Sequence, residues 1–315
     1  MTCHLKLSHF FPTPLTRARS TFALIVATIA GMGPVPARAD TFRLPISARM
    51  EASTTWAENL SRTSAVANRV NTLRQQTNFT ATVLTPIATG FSLITELAAG
   101  YELVPRYART NALNAGPRAL LRYKFGLGAY TPVLSAEGAF IRREARLPGD
   151  NGWIASGALR LSQRFTESWR ASLTGDWSQH YAAHSAFDVR SHRLLGTVTY
   201  DLNSVWQLTY GRGRLWGDFT ANAAGTVWAK AVGGQLGTAI QNYYSSVASE
   251  TNDSYGSGWV SYRVTGRSDF WWLELSPALG RNTSLPLRYE SSTTVNRVGI
   301  EYPQHLWTAG ILHRF

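Results

Sequence analysis

Asp176, Ser178 and His180 fall at alternate positions of one segment, and His184, Asp188 and His192 follow at four-residue intervals. On an extended strand the first three share a face. A His–Asp pair there could orient a water or bind a metal ion, so Asp176 and His180 are the catalytic candidates. The chain enters a loop by Ala182, where fixed spacing no longer fixes geometry. Other catalytic signatures are lacking. The sequence has no His-x-Ser-Asn segment and no Asp-x-Asp. Phosphate loops, His-Glu-x-x-His and Gly-x-Ser-x-Gly are also missing. The one cysteine is Cys3, so no disulfide or thiolate metal site is expected, and no cofactor.

A second spacing is far more widespread. From Arg118 to Tyr130 the even positions carry Arg118, Arg122 and Lys124. The odd ones are Ala119, Leu121, Tyr123, Phe125, Leu127 and Ala129. A helix would mix these sets at every turn, whereas a strand separates them. Arg160 and Arg164 occupy the polar face of Trp153–Arg164, and Arg170 with Asp176 that of Trp169–His180. Glu137 and Glu274 recur on polar faces elsewhere, as does Arg74. Stripes of guanidinium groups with scattered carboxylates suit either internal ion pairing or a lane for anions.

Elements with period two must carry these stripes. Alternation runs along Ile46–Trp56, Arg74–Leu84, Phe91–Leu103, Arg118–Tyr130, Val133–Arg143, Trp153–Arg164 and Trp169–His180. It continues along Leu194–Leu202, Val205–Phe219, Trp259–Val264, Phe270–Leu279 and Leu306–Phe315. That predicts twelve strands, with fourteen possible, each near the roughly ten residues of a tilted membrane strand. Short connections (Tyr130–Pro132, Thr166–Ser168, Asn203–Ser204, Gly266–Ser268) alternate with long ones. The longest is Thr220–Tyr255, where a short helix around Ile240–Tyr244 could fold into the mouth; Gly280–Glu301 is another. The short turns at Thr131-Pro132 and 166–168 predict Gly126 opposite Glu137, with Lys124 diagonal to it, and Arg164 opposite Arg170.

Residues 1–39 read as a signal peptide. They hold Lys6, Arg17 and Arg19, an apolar stretch from Phe22 to Ala30, and Ala37-Arg38-Ala39 before Asp40. The mature domain then spans 40–315. Removing Lys6, Arg17, Arg19 and Arg38 from 31 basic residues leaves 27 against 19 acidic ones, a net charge of +8. The basic residues are spread singly rather than in runs, which argues against nucleic acid as a partner.

The last strand ends Leu306-Trp-Thr-Ala-Gly-Ile-Leu-His-Arg-Phe315. A terminal Phe closing a ten-residue alternating strand resembles the C-terminal strand of bacterial outer-membrane β-barrel proteins. That resemblance implies an all-β, transmembrane, antiparallel up-and-down barrel, with Phe315 as the assembly signal. It also implies a Gram-negative outer membrane, with lipid, lipopolysaccharide and the barrel-assembly machinery as partners. The polar faces would then line the lumen. The function expected is a porin-like channel or binding scaffold for anionic small solutes or acidic saccharides. The alternatives are an enzyme acting on lipid or lipopolysaccharide, and the barrel of a polymer or surface-protein export system.

Overall fold

The computed structural model describes residues 46–315; the expected signal peptide lies outside the described residues. Nine strands follow one another with neighbour pairing throughout: β1 (Ile46–Glu58), β2 (Thr72–Ala88), β3 (Phe91–Leu103), β4 (Ala112–Lys124), β5 (Val133–Ala145), β6 (Gly152–Arg164), β7 (Trp169–Ala182), β8 (Val189–Asp201) and β9 (Trp206–Ala223). Helices α1 (Gly225–Val232) and α2 (Thr238–Ser246) and the short strand β10 (Ser249–Thr251) come next. The chain ends with β11 (Val260–Pro277), the two-residue β12 (Thr283–Ser284), β13 (Leu287–Asn296) and β14 (Glu301–Arg314). Pairing of β1 with β14, from Arg49↔Arg314 to Glu58↔His305, closes the ring. Twelve long antiparallel strands thus form a closed barrel with two short extra strands. No described helix is long and apolar enough to cross a membrane.

The alternation decides which solvent each face meets. Leu121, Phe140, Trp153, Leu159, Leu173, Tyr210, Leu273 and Trp307 are large apolar residues left exposed on the outer surface. A continuous apolar exterior of this kind is untenable in water and is what a lipid-facing belt requires. Closure leaves no open edge, so backbone groups are satisfied from strand to strand without water.

The number of barrel strands is the expected twelve, but two segments reach it differently. The Gly266–Ser268 turn does not exist: β11 runs unbroken through it, paired with β9 from Val260↔Ala223 to Pro277↔Trp206. Gly266 is there because neighbouring backbone comes close; a Cβ would stand 2.4 Å from the Val295 carbonyl oxygen. The twelfth strand is β13, inside the span expected to be the Gly280–Glu301 connection. Its Ser-Ser-Thr-Thr tract is polar on both faces and hid the alternation.

The β4–β5 turn also differs. Lys124 pairs with Val133, so residues 125–132 form the turn, held by Phe125 N–H on the Pro132 carbonyl and by the Thr131 hydroxyl on the Gly126 and Gly128 carbonyls. Glu137 therefore faces Leu120 rather than Gly126. At the other end β4 begins at Ala112, before Pro117, and its ladder to β5 lapses at Gly116 and Pro117, where Pro lacks a donor.

Candidate functional site: an arginine-lined lumen

Inward residues of every long strand except β4 line three cavities that follow one another inside the ring, with volumes of about 890, 390 and 780 Å³. The first and second share Arg62, Arg74, Arg288, Glu290 and Gln304 as wall. The second and third share Glu51, Glu274 and Pro286. The cavity chain thus links the mouth, where the long connections lie, to the opposite, turn end.

The first junction is the most strongly charged place along it. Arg74 enters from β2 and Arg288 and Glu290 from β13. Arg62 belongs to the β1–β2 connection and is turned into the lumen at φ 48°. Arg288 pairs with Glu290 at 2.6 Å, and its guanidinium carbon lies 4.2 Å from the centre of the Trp272 ring. Trp272 in turn fills the space left by Gly211 on β9, where any Cβ would stand 2.3 Å from the indole. Arg62 touches cavity solvent yet is ringed by protein. Burial and then the charge of Arg74 lower its pKa from the ordinary arginine value. It stays charged nonetheless. Arg74 Nε is buried with no hydrogen-bond partner among the described residues. Three guanidinium groups therefore share one carboxylate.

The cation stripes read from sequence occupy the lumen wall but differ in how they are used. Arg118 is neutralised between Glu96 (3.6 Å) and Glu137 (3.1 Å), taking the ion pair expected of Lys124. Lys124 instead donates to the Leu127 carbonyl at the turn. Arg164 and Arg170 stand directly opposite, as expected. Asp201 from β8 separates the like charges, at 3.3 and 3.1 Å. Arg160 donates only to Ser172, and Arg122 has no carboxylate partner among the described residues. Glu274 accepts from Ser276 and lines the two cavities nearer the turn end.

The catalytic candidates are not brought together. Asp176 pairs with Arg193 at 2.9 Å, whereas His180 lies 3.8 Å from Asp150, which also holds Arg143 at 3.0 Å. Asp176 is thus held in an ion pair with β8, whereas His180 only stands beside the Asp150–Arg143 pair.

Above Gly217 the β9–β11 hairpin continues past the rim and has two occupied faces. One packs Phe219, Tyr262 and Val264 with Tyr302 of β14 against Trp228 of α1 and Tyr244 of α2. The Tyr244 and Tyr302 hydroxyls are hydrogen-bonded at 2.9 Å. On the other face, the Asn222 backbone N–H and side-chain amide both donate to the Ser61 carbonyl, and Thr220 donates to the Ala186 carbonyl. Ser61 is in the β1–β2 connection and Ala186 in the β7–β8 connection, half the ring apart. The hairpin therefore lies across the mouth. The rest of residues 224–259 completes the lid, with Tyr255 against Tyr107 and Glu250 at 3.2 Å from His184. Burial pushes the Tyr255 hydroxyl up to about 12, so it stays a neutral donor on the cavity wall. The short helix expected around Ile240–Tyr244 is α2, and it packs into this lid. Trypsin added to the folded barrel should cut Lys230 in α1 far more slowly than after mutation of Tyr262 and Tyr302 to alanine. Equal cleavage rates by mass spectrometry would mean that the lid is not held by the cluster.

Sequence reasoning missed Arg62, Glu250 and Tyr255 as parts of the site, because connections have no period to read. Arg288 and Glu290 were legible, alternating within Leu287–Asn296, but the polar tract beside them concealed the strand.

Closure, outward apolar belt and charged lumen define the class: a transmembrane antiparallel β-barrel with porin-like architecture. An outer-membrane channel from Pseudomonas putida F1 has the same fold, with a TM-score of 0.51 at 10% identity over 90% of this chain and 100% of that one. The KdgM porin aligns at a TM-score of 0.41 and 10% identity, covering 85% of this chain and 99% of that one. The NanC porin does so at 0.43 and 10%, covering 84% and 98%. No family model and no curated protein matches the sequence. At 10% identity the likeness is one of fold.

Proposed function

We propose that the chain is an outer-membrane channel whose lumen favours small anionic solutes, acidic saccharides and organic acids among them. The observation that carries this reading is the junction of Arg62, Arg74 and Arg288, where one carboxylate serves three cations and a buried Arg74 donor is left without a partner. A buried donor without an acceptor costs roughly 1–3 kcal/mol. A passing carboxylate or phosphate supplies the missing acceptor and the missing charge together. Elsewhere along the wall Arg118, Arg143 and Arg193 have their own carboxylates and Arg164 and Arg170 share Asp201. Arg49, Arg122, Arg160 and Arg314 have none among the described residues, so the junction is the most crowded part of a cation surplus that runs along the lumen. In a planar bilayer with a salt gradient, the reversal potential should take the sign of anion preference. Cation preference, or no conductance with the lid removed, would sink the reading.

A further inference from the structure

Four of the seven charged residues of β9 and β11 point outward. The outward series on β9 reads Trp206, Leu208, Tyr210, Arg212, Arg214, Trp216. On β11 it reads Leu275, Leu273, Trp271, Asp269, Arg267. The register sets Arg212 opposite Trp271, Arg214 opposite Asp269 and Trp216 opposite Arg267, so the charges form one patch framed by two tryptophans. Asp269 gives one oxygen to Arg214 at 2.6 Å and the other to Arg267 at 3.5 Å. Arg212 has no carboxylate partner among the described residues, and Arg190 on β8 is also outward and exposed. Around half of each side chain in the Arg214–Asp269–Arg267 group is open to the surroundings. The outward pair Arg142–Glu144 on β5, by contrast, is neutral at 2.7 Å.

An arginine facing lipid costs about 2–4 kcal/mol at the bilayer midplane and about 0–1 near the interface. Arg212 and Arg214 lie in the loop-end part of a strand whose turn-end half is Trp206, Leu208 and Tyr210. Their guanidinium groups can reach toward the headgroup layer on their own alkyl stems. Tryptophans on either side belong at that same layer. A surplus of cations there, planar and bidentate, matches phosphate better than any other anion a membrane surface presents.

We propose that Arg212, Arg214 and Arg267 form a binding site on the outside of the barrel for the phosphate groups of a phosphorylated glycolipid of the surrounding leaflet. Asp269 holds Arg214 and Arg267 side by side, and Arg212 supplies the unpaired charge. The site rests on the membrane placement of the barrel but not on the anion preference of its lumen, so bilayer selectivity can fail or hold independently of it.

The test uses the full barrel folded in detergent and mixed with lipid A, with phosphatidylethanolamine as comparison, and counts bound lipid by native mass spectrometry. The unmodified barrel should retain lipid A in preference. The R212A/R214A/R267A variant should bind it on the order of a hundredfold more weakly, at about 1 kcal/mol per cation near a charged surface. The corresponding triple lysine variant should recover part of the binding, and Lys230→Ala on the lid should change nothing. Heat-modifiable gel mobility checks that each variant is folded. Undiminished lipid A on the alanine variant overturns the proposal. So does displacement by inorganic phosphate at equal concentration, which would mark a site for the free ion. A shift in oligomer size with lipid retention unchanged would likewise overturn it, marking a contact between copies of this chain.

Discussion

Replacing Arg62 and Arg74 together by glutamate should turn an anion-preferring conduit into a cation-preferring one, with the reversal potential passing through zero. Both side chains line the junction of the first two cavities, and Arg74 is the source of the charge that most strongly opposes Arg62 after burial itself. Removing them leaves Arg288 matched by Glu290 at 2.6 Å. The double replacement therefore takes the junction from a surplus of two positive charges to a surplus of two negative ones. A unit charge about 7 Å from an ion contributes roughly 2 kcal/mol at an effective dielectric near 20. Salt reduces that figure over a screening length of about 8 Å. Each neutralised arginine should then lower the anion-to-cation permeability ratio by about tenfold at low salt, since 1.4 kcal/mol is a factor of ten. The R62A and R74A single variants test the magnitude, and the double glutamate variant tests the sign. If Arg122→Ala or Arg160→Ala, farther from the junction, moved the potential as much, selectivity would belong to the whole wall.

That contrast exists because the stripes legible in sequence and the surplus seen in space are different things. Arg118, Arg164 and Arg170 share a face with their neighbours by the period of the strand, which the alternation gives directly. Whether each is a free charge depends on the strand beside it. Glu96 and Glu137 quench Arg118 from both sides, and Asp201 bridges Arg164 and Arg170 from β8. The 166–168 turn is short enough to fix the register, so the Arg164↔Arg170 opposition was readable. The β4–β5 register was not, because alternation persists through Phe125, Leu127 and Ala129 after the chain has left the sheet. Gly126 and Gly128 were the signal there, and they mark the turn rather than small residues of a strand face.

The barrel class itself was carried by redundancy. Twelve alternating segments agree on one architecture even when two of them are misplaced. Gly266 shows why a single residue can mislead. Glycine serves turns and close backbone approaches alike, and only the neighbouring strand decides which. The lid was the least legible part, since its helices are short and its contacts run to β14 and to the β1–β2, β3–β4 and β7–β8 connections. Only the aromatic content of Trp228, Tyr243 and Tyr244 hinted that this connection is packed.

Excising residues 225–247 and joining the ends with a short Gly-Ser linker should raise single-channel conductance at least about twofold, because the narrowest section governs ion flow. The excised helices supply Trp228 and Tyr244 to the cluster with Phe219, Tyr262 and Tyr302, and without them the edge contact of Tyr302 on Phe219 is what remains against that face of the hairpin. Losing the cluster should also free the opposite face, where Asn222 and Thr220 bridge to Ser61 and Ala186 only through backbone-directed hydrogen bonds. Such bonds contribute about 1 kcal/mol each when made and compete with water once the mouth opens. The barrel beneath should survive, since β9 and β11 remain paired down to Trp206 and Pro277. Its folded gel mobility should therefore match that of the intact chain. A milder version, Tyr302→Phe, removes one hydroxyl from the 2.9 Å contact with Tyr244 and should produce brief openings of the same larger conductance. Unchanged conductance in the excised variant would mean that the limiting section is the arginine junction below. In that case the charge-reversed variant should alter current amplitude as well as sign.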